Sequence, residues 1–236
     1  MNNINIKLHY YQKELIKKLS LNLQMRFNDL LIEGLESEHM NYHLKQLLEI
    51  GFVTKQRSKY VLTDDGKDYS NLLDDQTDLI EKQPKTSVLI RGVRKNKNGQ
   101  VEHLLNRRLC QPYLGKVGRF GGKVRFGETL QQAVERELYE ETGLYAKTFK
   151  LEEIYRKMRK REDGFWVQDV VFYIFFVKNF RGKFIRKTLY QENFWITKRE
   201  LYKRSDLDPY DDLELDDRLA PKPLKLSENK GLAEGF

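Results

Sequence analysis

Cysteine is nearly absent from this chain of 236 residues, Cys110 being the only one. No disulfide can close within the chain and no zinc site can be built from thiolates, so a reducing compartment suits it. Histidine is scarce too. His9, His39, His43 and His103 are the whole set, and their spacing forms no metal-ligand pattern. Long apolar runs are missing: the longest, residues 170–177, has the length of a strand, far short of a bilayer span. No signal-peptide pattern opens the chain. The expectation is a soluble, cytoplasmic protein with no membrane partner.

Charge is abundant. Lys and Arg number 43 against 35 Asp and Glu, a formal net charge of +8. The first 75 residues are close to balanced, and the excess lies beyond them. A basic second part suits a polyanion such as a nucleotide or RNA, although a generically solvated basic surface accounts for the charge equally well. With 39% hydrophobic and 12% aromatic residues, the chain can build real cores. Its length suits one medium domain plus a small one.

The first part alternates charged and apolar residues at helical spacing over residues 8–20. A short second helix is predicted over 25–33, ended by Gly34. A third is predicted from an N-cap at Ser37 to about Ile50, stopped by Gly51. Two β-like runs (52–55 and 60–63) around a polar turn follow, then an amphipathic piece at 64–73. The string SEHMNYHLKQLLEIGFV…YVLTDDGKDY resembles the winged helix-turn-helix superfamily over residues 1–75. Residues 76–86 are polar, contain Pro84 and read as a linker. Strand-like runs then fall at 87–94, 101–108, 151–156, 165–177 and 194–196, with one strong helix at 128–142 ended by Gly143. Residues 206–236 shift to an acidic segment and a Pro/Lys tail.

The chemistry concentrates in residues 122–144, GKVRFGETLQQAVERELYEETGL. At about 100° per helical residue, Glu141 lies near +40° and Glu140 near −60° of Glu137. Leu130, Ala133 and Val134 fall on that same side, whereas Gln132, Glu135 and Tyr139 fall opposite. A solvated acidic face would turn its charges away from the apolar stripe. Here the acids continue the stripe, and like charges crowded toward a domain body call for a compensating cation. A hard divalent ion with oxygen ligands answers that need. A surface helix salt-bridged through Arg136 is the plainer alternative.

This segment carries every fixed position of the Nudix signature, and the chain resembles that hydrolase superfamily over about residues 85–205. The resemblance implies an α+β fold: a Nudix α/β/α sandwich with a mixed sheet over 87–205, preceded by a small winged-helix domain. It implies Mg²⁺ (or Mn²⁺) held by Glu137, Glu140, Glu141 and the carbonyl of Gly122. The reaction would be hydrolysis of a diphosphate linkage in a nucleotide-type substrate, with Glu137 as general base. Glu128 would hold the loop together with Arg136. Glu192 is a second candidate for the base, since some members place it on a later loop; it reads equally as a solvated acid before Trp195.

Further candidates are less determined. Phe120 stands where the family often has Pro, and FGGKV resembles a subset that acts on purine nucleoside triphosphates. Arg107 and Arg108, at a strand end, either reach a substrate phosphate or are merely solvated. Lys157–Arg161 reads as a basic hairpin loop; Lys157 and Arg159 either grip a triphosphate or RNA 5′ end or form a solvated tip. Residues 208–212 either read a base or form a charged surface turn. The competing function is a transcriptional regulator that binds DNA through Asn41, Tyr42, Lys45 and Arg57 and senses a nucleotide in its Nudix-like part. A homodimer fits either function. The near-neutral first domain is a poor footprint for tight DNA binding, and the acid box is complete, so the hydrolase is favoured.

Overall fold

The computed structural model describes residues 6–74, 80, 82–209 and 213–232. The chain divides into two units, Met1–Gln83 and Pro84–Phe236.

In the first unit, α1 (Tyr10–Ser20) starts at His9, whose ring accepts from the Tyr11 N–H while Gln12 accepts from the His9 N–H. It buries Gln12, Leu15, Ile16 and Leu19 on one stripe. These pack against Met40, Leu44 and Leu47 of α2 (Ser37–Glu49). The helix predicted over 25–33 is not formed. Met25 and Arg26 make a two-residue strand, β1, followed by a 3₁₀ turn at Phe27–Leu30. Backbone pairing of Met25 with Tyr60 and Arg26 with Lys59 commits the start of that segment to the sheet. Tertiary pairing thus overrides local periodicity. The hairpin β2 (Val53–Gln56) and β3 (Lys59–Leu62) completes an antiparallel sheet in the order β1-β3-β2. Thr63 then caps α3 (Asp64–Ser70) by accepting from the Gly66 N–H. Glu36, not Ser37, occupies the N-cap of α2.

The second unit contains β4 (Lys85–Lys95), β5 (Val101–Arg108), β6 (Lys116–Gly118), β7 (Phe120–Lys123), α4 (Leu130–Thr142), β8 (Leu144–Tyr145) and β9 (Thr148–Lys160). β10 (Trp166–Lys178), β11 (Arg181–Gly182), β12 (Gln191–Thr197), α5 (Lys198–Leu201), β13 (Asp208–Pro209) and β14 (Lys225–Leu232) complete it. Nine strands form one mixed sheet in the order β13-β6-β5-β4-β10-β9-β14, with β12 beside β5 and β7 beside β4. β10 runs parallel to β4, as does β14 to β9. Of the linker expected at 76–86, residues 76–79 and 81 lie outside the described residues, and Lys85 and Thr86 already belong to β4.

α4 covers one face of this sheet. Ala133, Val134 and Leu138 bury against Val88, Ile90, Phe120, Phe175 and Val177, each large side chain contributing about 1.5–3 kcal/mol. The other face carries Leu105, Val117 and Ile196 under Leu201 of α5, with Leu207, Leu213 and Leu215. Among the described residues the second helical layer of the expected sandwich is therefore only the four-residue α5, with Leu207, Leu213 and Leu215 outside helices completing the cover. Arg91 explains how that chain is fixed. Its guanidinium makes a bidentate pair with Glu152 (2.6 and 2.7 Å), both side chains nearly fully buried. It also donates to the carbonyls of Asp216, Arg218 and Ala220. Residues 213–232, set apart on sequence grounds as an acidic segment and tail, are built into this unit.

A bulge in β9 decides which of its side chains reach which face of the sheet. Ile174 pairs with Glu153 but Phe175 pairs with Leu151, so Glu152 is an extra residue. Before it, Phe149 and Leu151 face the α4 core; after it, Glu153, Tyr155 and Lys157 face a cleft on the other side.

Candidate active site

The site begins at β7, where two glycines allow close approaches. A Cβ on Gly121 (φ +154°) would lie 2.0 Å from the Val88 carbonyl oxygen, and one on Gly122 would lie 2.2 Å from Glu137 Oε1. The bare backbone thus lets the β4 strand and the Glu137 carboxylate meet the loop. α4 is entered through the N-cap Thr129, which accepts from the Gln132 N–H, and stops at Gly143 in the left-handed conformation.

Arg136 ties loop to helix. It binds both oxygens of Glu128 (2.7 and 2.9 Å), Glu137 Oε1 (2.5 Å), Glu140 Oε2 (3.2 Å) and the Lys123 carbonyl (3.0 Å). The Glu128 carboxyl is held down to about 2 by Arg136, with the Arg125 N–H adding to the effect. Glu137 is buried at 9% exposure, whereas Glu140 is half-exposed and also paired with Arg125 (3.2 Å). Glu141 is the outlier. Burial and the neighbouring Glu137 charge push its carboxyl up to about 7, against the opposing pull of the Gly121 N–H and Arg108. Its Oε2 is buried without a protein partner, as is Gln191 Nε2.

Two of the three expected acids therefore converge behind the glycine loop, and the third turns toward Arg125 and Arg136. Among the described residues no group of three acidic, histidine or cysteine side chains is arranged to hold an ion. The local chemistry nevertheless fits a cation. A buried carboxylate oxygen lacks a donor, a second carboxylate repels it, and the Gly122 cradle has no room for a side chain.

Glu192 is not with these acids. β12 alternates, so Gln191, Asn193 and Trp195 face α4 while Glu192, Phe194 and Ile196 face the α5 side. Glu192 pairs with Arg107 across β5 at 2.5 Å. The residues that sequence reasoning missed are Gln191 and Asn193; Asn193 donates to the carbonyls of Glu141 (2.7 Å) and Ile185 (2.8 Å) and fixes the end of α4. Only the face parity of β12 could have revealed them.

Beside the acids, on the face opposite α4, lies a cleft of about 520 Å³. Leu89, Phe172 and Ile174 line it from the sheet, Tyr155 and Lys157 from β9, and Arg108 and Gly121 at the acid end. Lys157 and Arg159 are not in a hairpin loop: β9 runs to Lys160, and the turn comes after it. Both are buried, at 6% and 5% exposure, but Lys157 lines the cleft whereas Arg159 donates to Asn229 Oδ1 at 2.8 Å. Its sequence-based role as a substrate ligand is corrected to one of anchoring β14. Arg108 donates to the Pro112 carbonyl (2.9 Å) and contacts Cys110 Sγ. Residues 210–212 of the acidic segment lie outside the described residues. In the first unit Asn41, Tyr42 and Lys45 are exposed on α2, and Arg57 sits in the β2–β3 turn at φ +58°.

A glycine loop thus feeds an acid-bearing helix that lies against a mixed sheet. The chain belongs to the NUDIX domain family, whose model matches residues 84–217. No curated protein matches it. Among solved structures it is similar to the mutator MutT protein of Bacillus halodurans (22% identity over 50% of this chain and 72% of that one, TM-score 0.42). It is also similar to the NUDIX domain of Shewanella oneidensis NrtR complexed with ADP ribose (20% identity, 60% and 88%, TM-score 0.43). A third likeness is to a UDP-X diphosphatase (14% identity, 81% and 82%, TM-score 0.41).

Proposed function

We propose that the chain hydrolyses the diphosphate linkage of a nucleoside triphosphate or nucleoside diphosphate derivative. The observation that carries this reading is shared lining. Gly121 and Arg108 border the cleft, and the same two residues act on the Glu141 carboxylate. A substrate whose nucleoside part fills the cleft would thereby bring its phosphates to the acids.

Glu137, Glu140, Glu141 and the Gly122 carbonyl would hold Mg²⁺, which when bound neutralises phosphate oxygens and raises the acidity of water. Glu140 reaches that role by exchanging Arg125, a half-exposed and weakly held partner. Arg136 keeps Glu137 in place through Oε1. The other oxygen of Glu137, Oε2, is the proton acceptor we assign. Arg108 and Lys157, which both line the cleft, supply positive charge for the substrate's anionic groups.

The first unit we assign as a winged helix, with α2 in the recognition position and β2–β3 as the wing. Its exposed α2 surface presents Glu38 and Glu49 beside Lys45, a charge balance that favours the enzyme over a DNA-binding regulator.

The test is turnover of a panel of nucleotides, sugar nucleotides and capped RNA with Mg²⁺, comparing wild type with Glu137→Gln and with Glu140→Gln plus Glu141→Gln. Turnover that falls by about 10²-fold or more in each variant is expected. No turnover of any member, with salt-dependent binding to duplex DNA, would replace this reading by the regulator.

A further inference from the structure

The family-matched segment ends at residue 217, yet one wall of the cleft is built after it. β14 runs parallel beside β9, pairing Lys225 with Glu153 and Ser227 with Tyr155. Lys222, Lys225, Ser227 and Asn229 all line the cleft from this side. The bulge at Glu152 turns Glu153 toward them. The Ser227 hydroxyl donates to Glu153 Oε1 at 2.5 Å, and the Lys225 ammonium stands 3.9 Å from the same oxygen. Both partners act on Oε1. The carboxylate is therefore pinned by one oxygen, with its side chain 25% exposed at the cleft. Next to it Tyr155 and Phe172 line the cleft with their rings nearly parallel, 6.4 Å between centroids and 21° between planes.

A pinned carboxylate beside an aromatic floor selects for hydrogen-bond donors on the edge of a flat ring. The ammonium of Lys225 beside it selects for an adjacent acceptor. Among the nucleobases, guanine presents two N–H donors next to a carbonyl oxygen, whereas adenine presents a ring nitrogen acceptor where the carboxylate would need a proton. We propose that Glu153, held by Ser227 of β14, is the specificity-determining residue of the cleft and makes it prefer a guanine-type base. This rests on the reading that the cleft holds the nucleoside of a hydrolysed nucleotide. Glu153 is a binding residue remote from the reacting atoms, so its effect falls on discrimination.

The experiment measures kcat/KM with Mg²⁺ for GTP, ITP and ATP in wild type, Glu153→Gln and Ser227→Ala, with melting curves for each. The expected order in wild type is GTP, then ITP, then ATP. Glu153→Gln lowers the GTP value by about 10- to 100-fold, the scale of a hydrogen bond to a charged group, and leaves ATP within about threefold. Ser227→Ala, a smaller change on an edge strand, narrows the GTP preference in the same direction. Equal use of the three purines by wild type, or a Glu153→Gln loss shared equally by all three, overturns the proposal while leaving the hydrolase reading intact. Should no triphosphate be turned over, the hydrolysis of triphosphates has failed separately. Calorimetric binding of GDP against ADP then decides: a wild-type preference for GDP that Glu153→Gln removes supports the assignment, and equal binding overturns it.

Discussion

Alanine at position 122 would put a methyl group where Glu137 now keeps its carboxylate. An ideal Cβ there lies 2.2 Å from Glu137 Oε1 and 2.4 Å from its Cδ. Unstrained contacts need roughly 3.5 Å, so the carboxylate must retreat by about 1 Å. Because it is the free end of a side chain, the fold can yield: the cost is about 1 kcal/mol of rotamer strain, a shift of about 2–4 °C in Tm for a domain of this size. Catalysis has no such tolerance, since a 1 Å misplacement costs on the order of 10²-fold in rate. Gly122→Ala should therefore melt close to wild type and lose about two orders of magnitude in kcat at saturating substrate and Mg²⁺. Gly121→Ala is the contrast. Its Cβ would meet the Val88 carbonyl at 2.0 Å, and backbone cannot swing aside. That variant should lose stability first. A Gly122→Ala protein with wild-type kcat would refute the claim that the position of Glu137 governs the chemistry.

The same geometry sets three other outcomes. Glu192→Gln should keep kcat within roughly threefold, because Glu192 faces the α5 side and pairs with Arg107; a hundredfold loss in steady-state assays would return this carboxylate to the chemistry. Arg91→Ala leaves the buried Glu152 charge unpaired and should cost about 3–5 kcal/mol by calorimetry. Arg91→Met with Glu152→Met should recover only part of that loss, because the three carbonyls capped by Arg91 stay unpaired, and a double variant no more stable than Arg91→Ala would show that the stranded charge is not its origin. Glu128 has a folded carboxyl at about 2, below its unfolded value, so its stabilising contribution is complete above the unfolded value and lost as pH falls toward 2. In urea unfolding the gap between wild type and Glu128→Gln should shrink from pH 5 to pH 2.5; a constant gap would contradict the Arg136 assignment.

Much of the active-site helix is visible in the residue order alone. The Gly143 stop and the apolar stripe of Leu130, Ala133 and Val134 are local properties of one helix, and the family resemblance implied the Arg136–Glu128 tie. What the sequence does not display depends on partners far along the chain. Glu192 looks like a site acid until β12 is registered against β5, which decides which alternate residues face α4. The basic run 157–161 reads as a loop because charge density resembles solvent exposure, whereas its residues through Lys160 continue β9 beside β10 and β14. Met25 and Arg26 carry helical periodicity but pair with β3. Residues 213–224 have no periodic pattern to read, since carbonyl capture by Arg91 fixes their backbone irrespective of side chains. The turning of Glu140 toward Arg125 is likewise a rotamer choice that no spacing rule contains.

The single inserted residue at 152 separates two evolutionary and engineering problems. Upstream of it, substitutions on the inward-facing side of β9 test the packing of the helix that carries the acids. Downstream, the alternate positions 153, 155 and 157 can be exchanged to reshape ligand preference while that packing stays as it is. Deleting residue 152 would join Leu151 directly to Glu153 in a regular ladder with both sets facing as they do now, and the loss would fall on Arg91, left without its buried carboxylate.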